Sequence, residues 1–216
     1  MGTIKQGILG GFSGKVGTVV GASWKGIAYM RSLAQSVKNP RTRKQSMHRE
    51  LFMKLIGLMS QFEALLNITF RERAVRMSAY NAATKVNYAN GLVSYVGDSL
   101  TVNPDKLIIA QGSLPGVQGG AVTINSGMAK MTWDDNSSEE GADATDKVMA
   151  VLFNTAKNQI HAISSTGKTR SSGSYSNGGF DSWAGDSVAC YIAFVKDDGS
   201  AASDSAYLGT VTLPSE

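Results

Sequence analysis

The clearest apolar periodicity in the chain lies between residues 43 and 68. Apolar side chains recur there at spacings of three and four, which lines one face of an α-helix. The positions are Met47, Leu51, Leu55, Leu58, Met59, Phe62, Leu65 and Leu66. Pro40 and Thr42 precede the run as turn and N-cap residues. The pattern predicts a helix from about Arg43 to about Ile68.

A second, alanine-rich run follows between Glu72 and Asn90. It predicts another helix that ends at Gly91, because glycine is favoured just after the last turn of a helix. The connection between the two helices is expected near residues 67–71. Residues 37–92 are therefore predicted to form an antiparallel helical hairpin.

Before the hairpin, seven glycines lie between Gly7 and Gly26, a density that excludes a stable helix. Val16–Val20 and Ile27–Leu33 have the character of two short strands instead. A glycine-rich arm with little core of its own could dock on a partner. It could equally be the first buried hairpin of a compact domain, and the sequence leaves both interpretations open for residues 1–36.

After Gly91 the sequence changes to short alternating runs separated by turn residues about every 8 to 12 positions, which is typical of a β-sandwich. In Val188–Val195 both sets of alternate positions are apolar, which indicates a central strand. Predicted strands are 99–103, 106–110, 121–124, 128–133, 147–154, 159–163, 173–180, 187–196 and 205–212. The predicted fold class is α+β: a β-arm or hairpin (1–36), a helical hairpin (37–92) and a β-sandwich (93–216).

Charge divides the chain more sharply than its formal net charge of +4 suggests. Residues 1–100 hold 14 Lys and Arg against 4 Asp and Glu, a net of 14 − 4 = +10, and residues 101–216 hold 7 against 13, a net of 7 − 13 = −6. The halves are expected to face different partners, the first of them anionic, or to attract each other between neighbouring copies.

One basic cluster stands at the start of the predicted hairpin: Lys38, Arg41, Arg43, Lys44 and Arg49. These residues are the candidate site for an anionic or protein partner, and nucleic acid is one possibility because phosphates are attracted to such clusters. A second group, Arg71, Arg73 and Arg76, is expected to be a solvated helix end. No base-reading motif accompanies either group.

Residues for catalysis are sparse. Gly14-Lys15 lies in a glycine-rich segment, but Leu9 and Val16 stand where a phosphate-binding loop needs glycine and a hydroxyl. His48, His161 and Cys190 are the only histidines and the only cysteine, too few for a tetrahedral zinc site. We expect no catalytic residue, no metal, no cofactor and no small-molecule substrate. The acidic residues 134–143 predict a solvated loop, with a weak calcium site as the alternative.

The first ten residues have too short an apolar run for a secretory signal, and the longest apolar stretch, Leu51–Leu66, is interrupted by Lys54, Gln61 and Glu63. No membrane insertion is expected. Cys190 alone permits no intramolecular disulfide.

Three stretches carry a resemblance to known families. Ala129–Trp133, followed by Asp134, resembles the second strand of a fibronectin type III domain, and Val188–Phe194 with the turn after it resembles the sixth. Asn39–Gln45, then Arg49 and Phe52, resembles a helical-hairpin opening that recurs in phage and prophage proteins. With its glycine-rich start and Tyr207-Leu208-Gly209 ending, the whole chain resembles an uncharacterised family from gut bacteria and their phages.

That resemblance implies an immunoglobulin- or fibronectin-like sandwich and a role as a virion component or its prophage relative. The leading hypothesis is a non-enzymatic assembly protein, located in the virion or the bacterial cytoplasm, whose partners are other virion proteins or copies of itself. One alternative is a nucleic-acid-binding protein that uses the basic hairpin. Another is a surface module that binds carbohydrate or protein.

Overall fold

The computed structural model describes residues 2–4, 7, 10–36, 39, 41–125, 127–177 and 181–215. The chain divides into two compact units, Met1–Arg43 and Lys44–Glu216. The boundary predicted at residue 36 lies shortly before this division. The boundary predicted at residue 92 falls inside the second unit, since helices and strands share a core there.

The first unit is a four-stranded antiparallel meander. Its strands are β1 (Thr3–Ile4), β2 (Phe12–Val16), β3 (Val19–Trp24) and β4 (Ile27–Ser32). The predicted strand at 16–20 was wrong in detail, because a turn at Gly17, with φ +57°, divides it between β2 and β3. Lys25 and Gly26, with φ of +49° and +85°, join β3 to β4, as a tight type I′ turn requires.

In the second unit the predicted first helix is confirmed with one interruption. It comprises α1 (Arg43–Met59), a 3-10 turn at Ser60–Phe62 and α2 (Glu63–Thr69). By length and composition alone, the run Arg43–Thr69 would be able to cross a membrane. Of its most apolar stretch 33% is buried, and the buried side chains belong to the cluster of buried apolar residues that also includes α3 and β12.

The second helix, α3 (Ala79–Asn90), is shorter than predicted. Arg76 has a positive φ of +59°, which no helix residue adopts, and the Ser78 hydroxyl accepts a hydrogen bond from the Asn81 N–H as an N-cap. The helix ends at Gly91, with φ +77°, as expected. Residues 72–78 are therefore a connection.

A small ladder follows the helices. It pairs β5 (Val93–Val96), which the sequence analysis missed, with β6 (Ser99–Val102). The strand predicted at 106–110 was wrong. Pro104–Lys106 is a 3-10 turn, and the segment after it bonds to side chains, the Ile108 N–H donating to Asn87 Oδ1 and the Ile109 N–H to Ser205 Oγ.

Seven further strands form two antiparallel sheets. The larger has the order β10-β9-β12-β13 and the smaller β11-β8-β7. The strands are β7 (Ala121–Asn125), β8 (Met128–Thr132), β9 (Lys147–Asn154), β10 (Gln159–Ile163), β11 (Ser174–Asn177), β12 (Ser187–Val195) and β13 (Ala206–Thr212).

The larger sheet lies between the helices and the smaller sheet. On β12, Ala189, Tyr191, Ala193 and Val195 join the cluster that contains the buried residues of α1, α2 and α3. The alternate residues Val188, Cys190, Ile192 and Phe194 pack in clusters with β8 and Trp133. Because both faces of β12 are buried, both sets of its alternate residues are apolar. The second unit is therefore an α+β fold of three layers.

Candidate interaction surfaces

The structure describes four of the five residues of the predicted basic cluster. Lys38 lies outside the described residues, while Arg41, Arg43, Lys44 and Arg49 are all exposed. Lys44 and Arg49 are five residues apart on α1, whereas neighbours on a helix surface are three or four apart. Arg41 and Arg43 belong to the first unit. The role of this cluster in partner binding stays a prediction.

The meander of the first unit has one face that carries no charge and is largely apolar, with Ser23 and Ser32 as its polar residues. Cross-strand partners share a face of a sheet, and the register pairs Ile4 with Phe12, Val16 with Val19, and Gly21 with Met30. We call the set Ile4, Phe12, Val16, Val19, Ala28 and Met30 the apolar face. Ile4 and Val16 are more than half exposed, and Met30 is 70% exposed.

The opposite face combines aromatic and basic side chains. Lys15 pairs with Val20, Val20 with Arg31, Ala22 with Tyr29 and Trp24 with Ile27. We call the set Lys15, Val20, Ala22, Trp24, Ile27, Tyr29 and Arg31 the aromatic face. Trp24 is 64% exposed and Tyr29 45%. The Lys25 Nζ lies 4.9 Å from the centre of the Trp24 ring.

Neither face is covered in the described part of the first unit, where Gly21 is the one buried residue. The ring of Phe12 lies over it, so that a Cβ on Gly21 would stand 2.7 Å from Phe12 Cε2. Large exposed apolar patches are rare on monomeric proteins and mark interaction sites. The meander is therefore the strongest candidate interaction surface of this chain.

A groove of about 510 Å³ lies between α1 and α3. Phe52 and Ile56 line it from α1, and Tyr88 from α3. The Tyr88 hydroxyl lies 2.7 Å from His48 Nε2 at one side. The expected solvated position of His48 is correct, since it is exposed on α1.

A second groove, of about 530 Å³, lies at one end of the larger sheet. It has mixed charge: Lys147 forms an ion pair with Asp197 at 2.8 Å, and Arg71 Nη1 donates to the Gly199 carbonyl at 3.5 Å. Lys196 and Asp198 also line it, so that three cations and two carboxylates are mixed along the groove and neither sign of charge is concentrated there.

Three of the five carboxylates in the acidic stretch 134–143 accept hydrogen bonds from other residues of the protein. Hydrogen bonds from Ser137 lower the pKa of Asp135, and hydrogen bonds from Thr145 lower the pKa of Asp143. Glu139 accepts from Gln118 and Asn136. The described residues hold no group of three or more His, Cys, Asp or Glu that could bind a metal ion.

A buried arginine closes this loop, and the sequence analysis missed it. Arg170 is fully buried and donates a hydrogen bond from Nε to Asp146 Oδ2, while its Nη2 forms an ion pair with the same oxygen. Its Nη1 donates to Asn136 Oδ1 at 2.7 Å. Its guanidinium lies 4.1 Å from the centre of the Phe194 ring. A capping box at Thr169–Ser172 was the only local signal near it.

Glu72 is a second residue that the sequence analysis missed. Its Oε2 accepts the Ala202 N–H at 3.0 Å and the Ser113 N–H at 3.2 Å, and Oε1 accepts the Ser113 hydroxyl at 2.7 Å. Burial raises the pKa of Glu72, but these hydrogen bonds outweigh it, so the pKa lies below its ordinary value. Glu72 thus ties the connection before α3 to two distant loops.

The residues considered for catalysis lie apart in sequence and in structure. His48 is on α1, His161 is an exposed residue of β10, and Cys190 is buried in β12. Burial raises the pKa of Cys190 to about 12, so its sulfur is a protonated thiol at neutral pH. Such a thiol is a poor nucleophile.

Comparison with known proteins gives one match. A family model described as a family of unknown function, DUF6266, matches residues 11–209, which include β2, β3 and β4 as well as nearly all of the second unit. No curated protein and no solved structure matches the chain. Since the match covers most of its length, the chain belongs to the DUF6266 family of unknown function.

Proposed function

We propose that this chain is a non-enzymatic assembly protein, a component of a phage or prophage-derived particle that docks through its first unit and displays its second. The observation that carries the proposal is the exposed apolar face. Ile4, Val16 and Met30 lie uncovered there with no charged side chain among them. Burial of such a face against a protein partner is favourable, at about 25 cal/mol per Å² of apolar surface.

The displayed part is a sandwich of the fibronectin type III kind. Strands β7 to β13 supply seven strands in two antiparallel sheets of three and four. Counted from β7, β8 is the second strand and β12 the sixth, the two positions at which the sequence resembles that fold. Buried Trp133 follows β8 and packs edge-on against Phe194 of β12, with ring centres 6.2 Å apart.

The virion assignment is supported by the resemblance of residues 39–52 to phage and prophage proteins, and by the charge difference between the units. Residues 1–43 hold seven Lys and Arg and no Asp or Glu, a net of +7. Residues 44–216 hold the remaining 14 against 17, a net of 14 − 17 = −3. Opposite charges on the two units favour ordered contacts between proteins of one assembly, including successive copies of this chain.

Site-specific photo-crosslinking tests this function. A photoreactive residue replaces Met30 on the apolar face in a host that produces the particles, and purified particles are then analysed by mass spectrometry. We expect a crosslink to a particle protein or to a second copy of the chain. The same residue at exposed Met128 in the second unit is the matched control. Absence of the chain from purified particles would remove the virion assignment, and equal crosslinking at both positions would remove docking through the apolar face.

A further inference from the structure

The aromatic face carries basic side chains that are not balanced by acidic ones. Lys15, Val20 and Arg31 form one row across three strands, so two cations stand on the same face without an acidic side chain. All of residues 1–43 lack Asp and Glu, so the meander itself supplies no carboxylate to neutralise them. Such a surface attracts a polyanion.

Aromatic rings lie beside these cations. Trp24 pairs with Ile27 across β3 and β4, and Tyr29 is two residues further along β4 on the same face. Trp24 and Tyr29 are therefore diagonal neighbours, roughly 7–8 Å apart between their Cα atoms. Both rings are exposed, although burial of the large apolar surface of an aromatic ring is favourable in free energy.

This spacing favours a single strand over a duplex. Successive bases in a stacked duplex are about 3.4 Å apart along each strand. The Cα atoms of Trp24 and Tyr29 are roughly twice as far apart as that, which suits bases that have been unstacked. Every base offers a flat π-face to an aromatic ring. A sheet with exposed rings and flanking cations meets both requirements of single-strand binding.

We propose that the aromatic face binds single-stranded nucleic acid, with Trp24 and Tyr29 stacking on bases and Lys15, Lys25 and Arg31 contacting phosphates. The proposal goes beyond docking, because the apolar face on the other side of the sheet serves that function. It also assigns nucleic-acid binding to the first unit, and not to the helical hairpin.

Tryptophan fluorescence tests the proposal in the full chain. Trp133 and Trp183 are only 4% and 5% exposed, whereas Trp24 is 64% exposed, so quenching by a bound oligonucleotide reports on Trp24. The probe is a labelled oligothymidine of about 16 nucleotides. We expect quenching and a rise in anisotropy at about 50 mM salt, with affinity that falls as salt rises.

Variants separate the contributions. Trp24→Ala is expected to lower affinity by about 10-fold or more, the range for loss of one stacked base, while Trp24→Phe retains most of the affinity. Lys15→Gln with Arg31→Gln is expected to reduce the slope of log affinity against log salt by about 1.4, or about 0.7 for each phosphate contact. Met30→Ala, on the apolar face, is the matched control and is expected to bind as the parent does.

Five results would overturn the proposal. The first two are absence of binding at low salt and equal affinity for a duplex of the same length. The third is equal losses for Trp24→Ala and Met30→Ala, and the fourth is a loss confined to Lys44→Gln with Arg49→Gln, which would place the site on the hairpin. The fifth is binding to polyglutamate as tightly as to the oligonucleotide, unaffected by Trp24→Ala, which would identify an acidic protein as the partner instead. Circular dichroism of each variant shows whether the fold is retained.

Discussion

Arg170 contacts a single oxygen of Asp146 through two of its nitrogens: Nε donates a hydrogen bond to Oδ2 at 3.0 Å, and Nη2 forms an ion pair with the same oxygen at 2.9 Å. The other carboxylate oxygen, Oδ1, is buried without a hydrogen-bond partner among the described residues. This ion pair lies between β12 and the loop of residues 134–146. Its geometry makes Asp146 dependent on one cation.

Replacement of that cation by a side chain of similar length tests the dependence. Arg170→Met leaves the Asp146 carboxylate buried and unpaired, and removal of one partner of a buried pair costs about 3–5 kcal/mol. We expect a loss of that size in the free energy of unfolding, measured by urea denaturation. The double variant Arg170→Met with Asp146→Leu is expected to regain part of it. A double variant less stable than the single one would contradict this account.

Glu72 is expected to make the free energy of unfolding depend on pH in the acidic range. Its pKa is lower in the folded chain than the ordinary value of 4.5. A carboxyl with a lowered folded pKa stabilises the fold above its unfolded pKa, and that contribution disappears as pH falls through the folded pKa. Unfolding measured at a series of pH values should show the parent losing more stability below pH 4.5 than Glu72→Gln does. Identical pH profiles would show that Glu72 does not carry this linkage.

Cys190 is expected to resist thiol reagents while the chain is folded. Its side chain is fully buried, and burial raises its pKa to about 12, so almost no thiolate exists at neutral pH. Labelling with an aromatic disulfide reagent should be slow in buffer and complete in denaturant. Fast labelling of the native chain would show that β12 opens readily.

Alanine substitutions at two glycines are expected to change the stability of the fold in opposite directions. Gly57 lies inside α1, and a Cβ there meets nothing within 4 Å, so Gly57→Ala should stabilise the fold by about 0.5–1 kcal/mol. At Gly112 a Cβ would collide with the Ala202 carbonyl and with Glu72 Oε2. Gly112→Ala should therefore destabilise the fold. Thermal unfolding of both variants checks the signs, and the same sign for both would contradict the packing at Gly112.

Sequence patterns predicted the helices and strands correctly where interactions between neighbouring residues determine the structure. The periodic apolar residues predicted α1 and α2 as one helical stretch. The continuous apolar run of β9 and the alternation in β10 predicted both strands with their observed bounds. Glycine at position 91 predicted the end of α3. Each of these features depends on periodicity or on a single backbone preference, which the sequence shows directly.

Features decided by distant partners were not predictable in this way. Residues 107–110 are apolar enough for a strand, yet the N–H groups of Ile108 and Ile109 bond to the side chains of Asn87 and Ser205, which are distant in sequence. Arg170 was missed for the same reason, since no local pattern distinguishes a buried arginine from a solvated one. Composition indicated a basic N-terminal segment, but only the strand register separates the apolar face from the aromatic face.

Strand β12 also raises the question of how a strand with two apolar sides keeps its alignment. In a sheet with one solvent-exposed face, a shift of one residue would expose the apolar side chains to water. The free-energy cost of that exposure fixes the register. That safeguard is weak in Val188–Val195, because both sets of positions are apolar. Tyr191 supplies what the alternation lacks, since its hydroxyl donates to the Pro104 carbonyl at 2.5 Å and no other side chain of the segment carries a hydroxyl. This one hydrogen bond is lost when β12 shifts by one residue, so it distinguishes the native register from the shifted register.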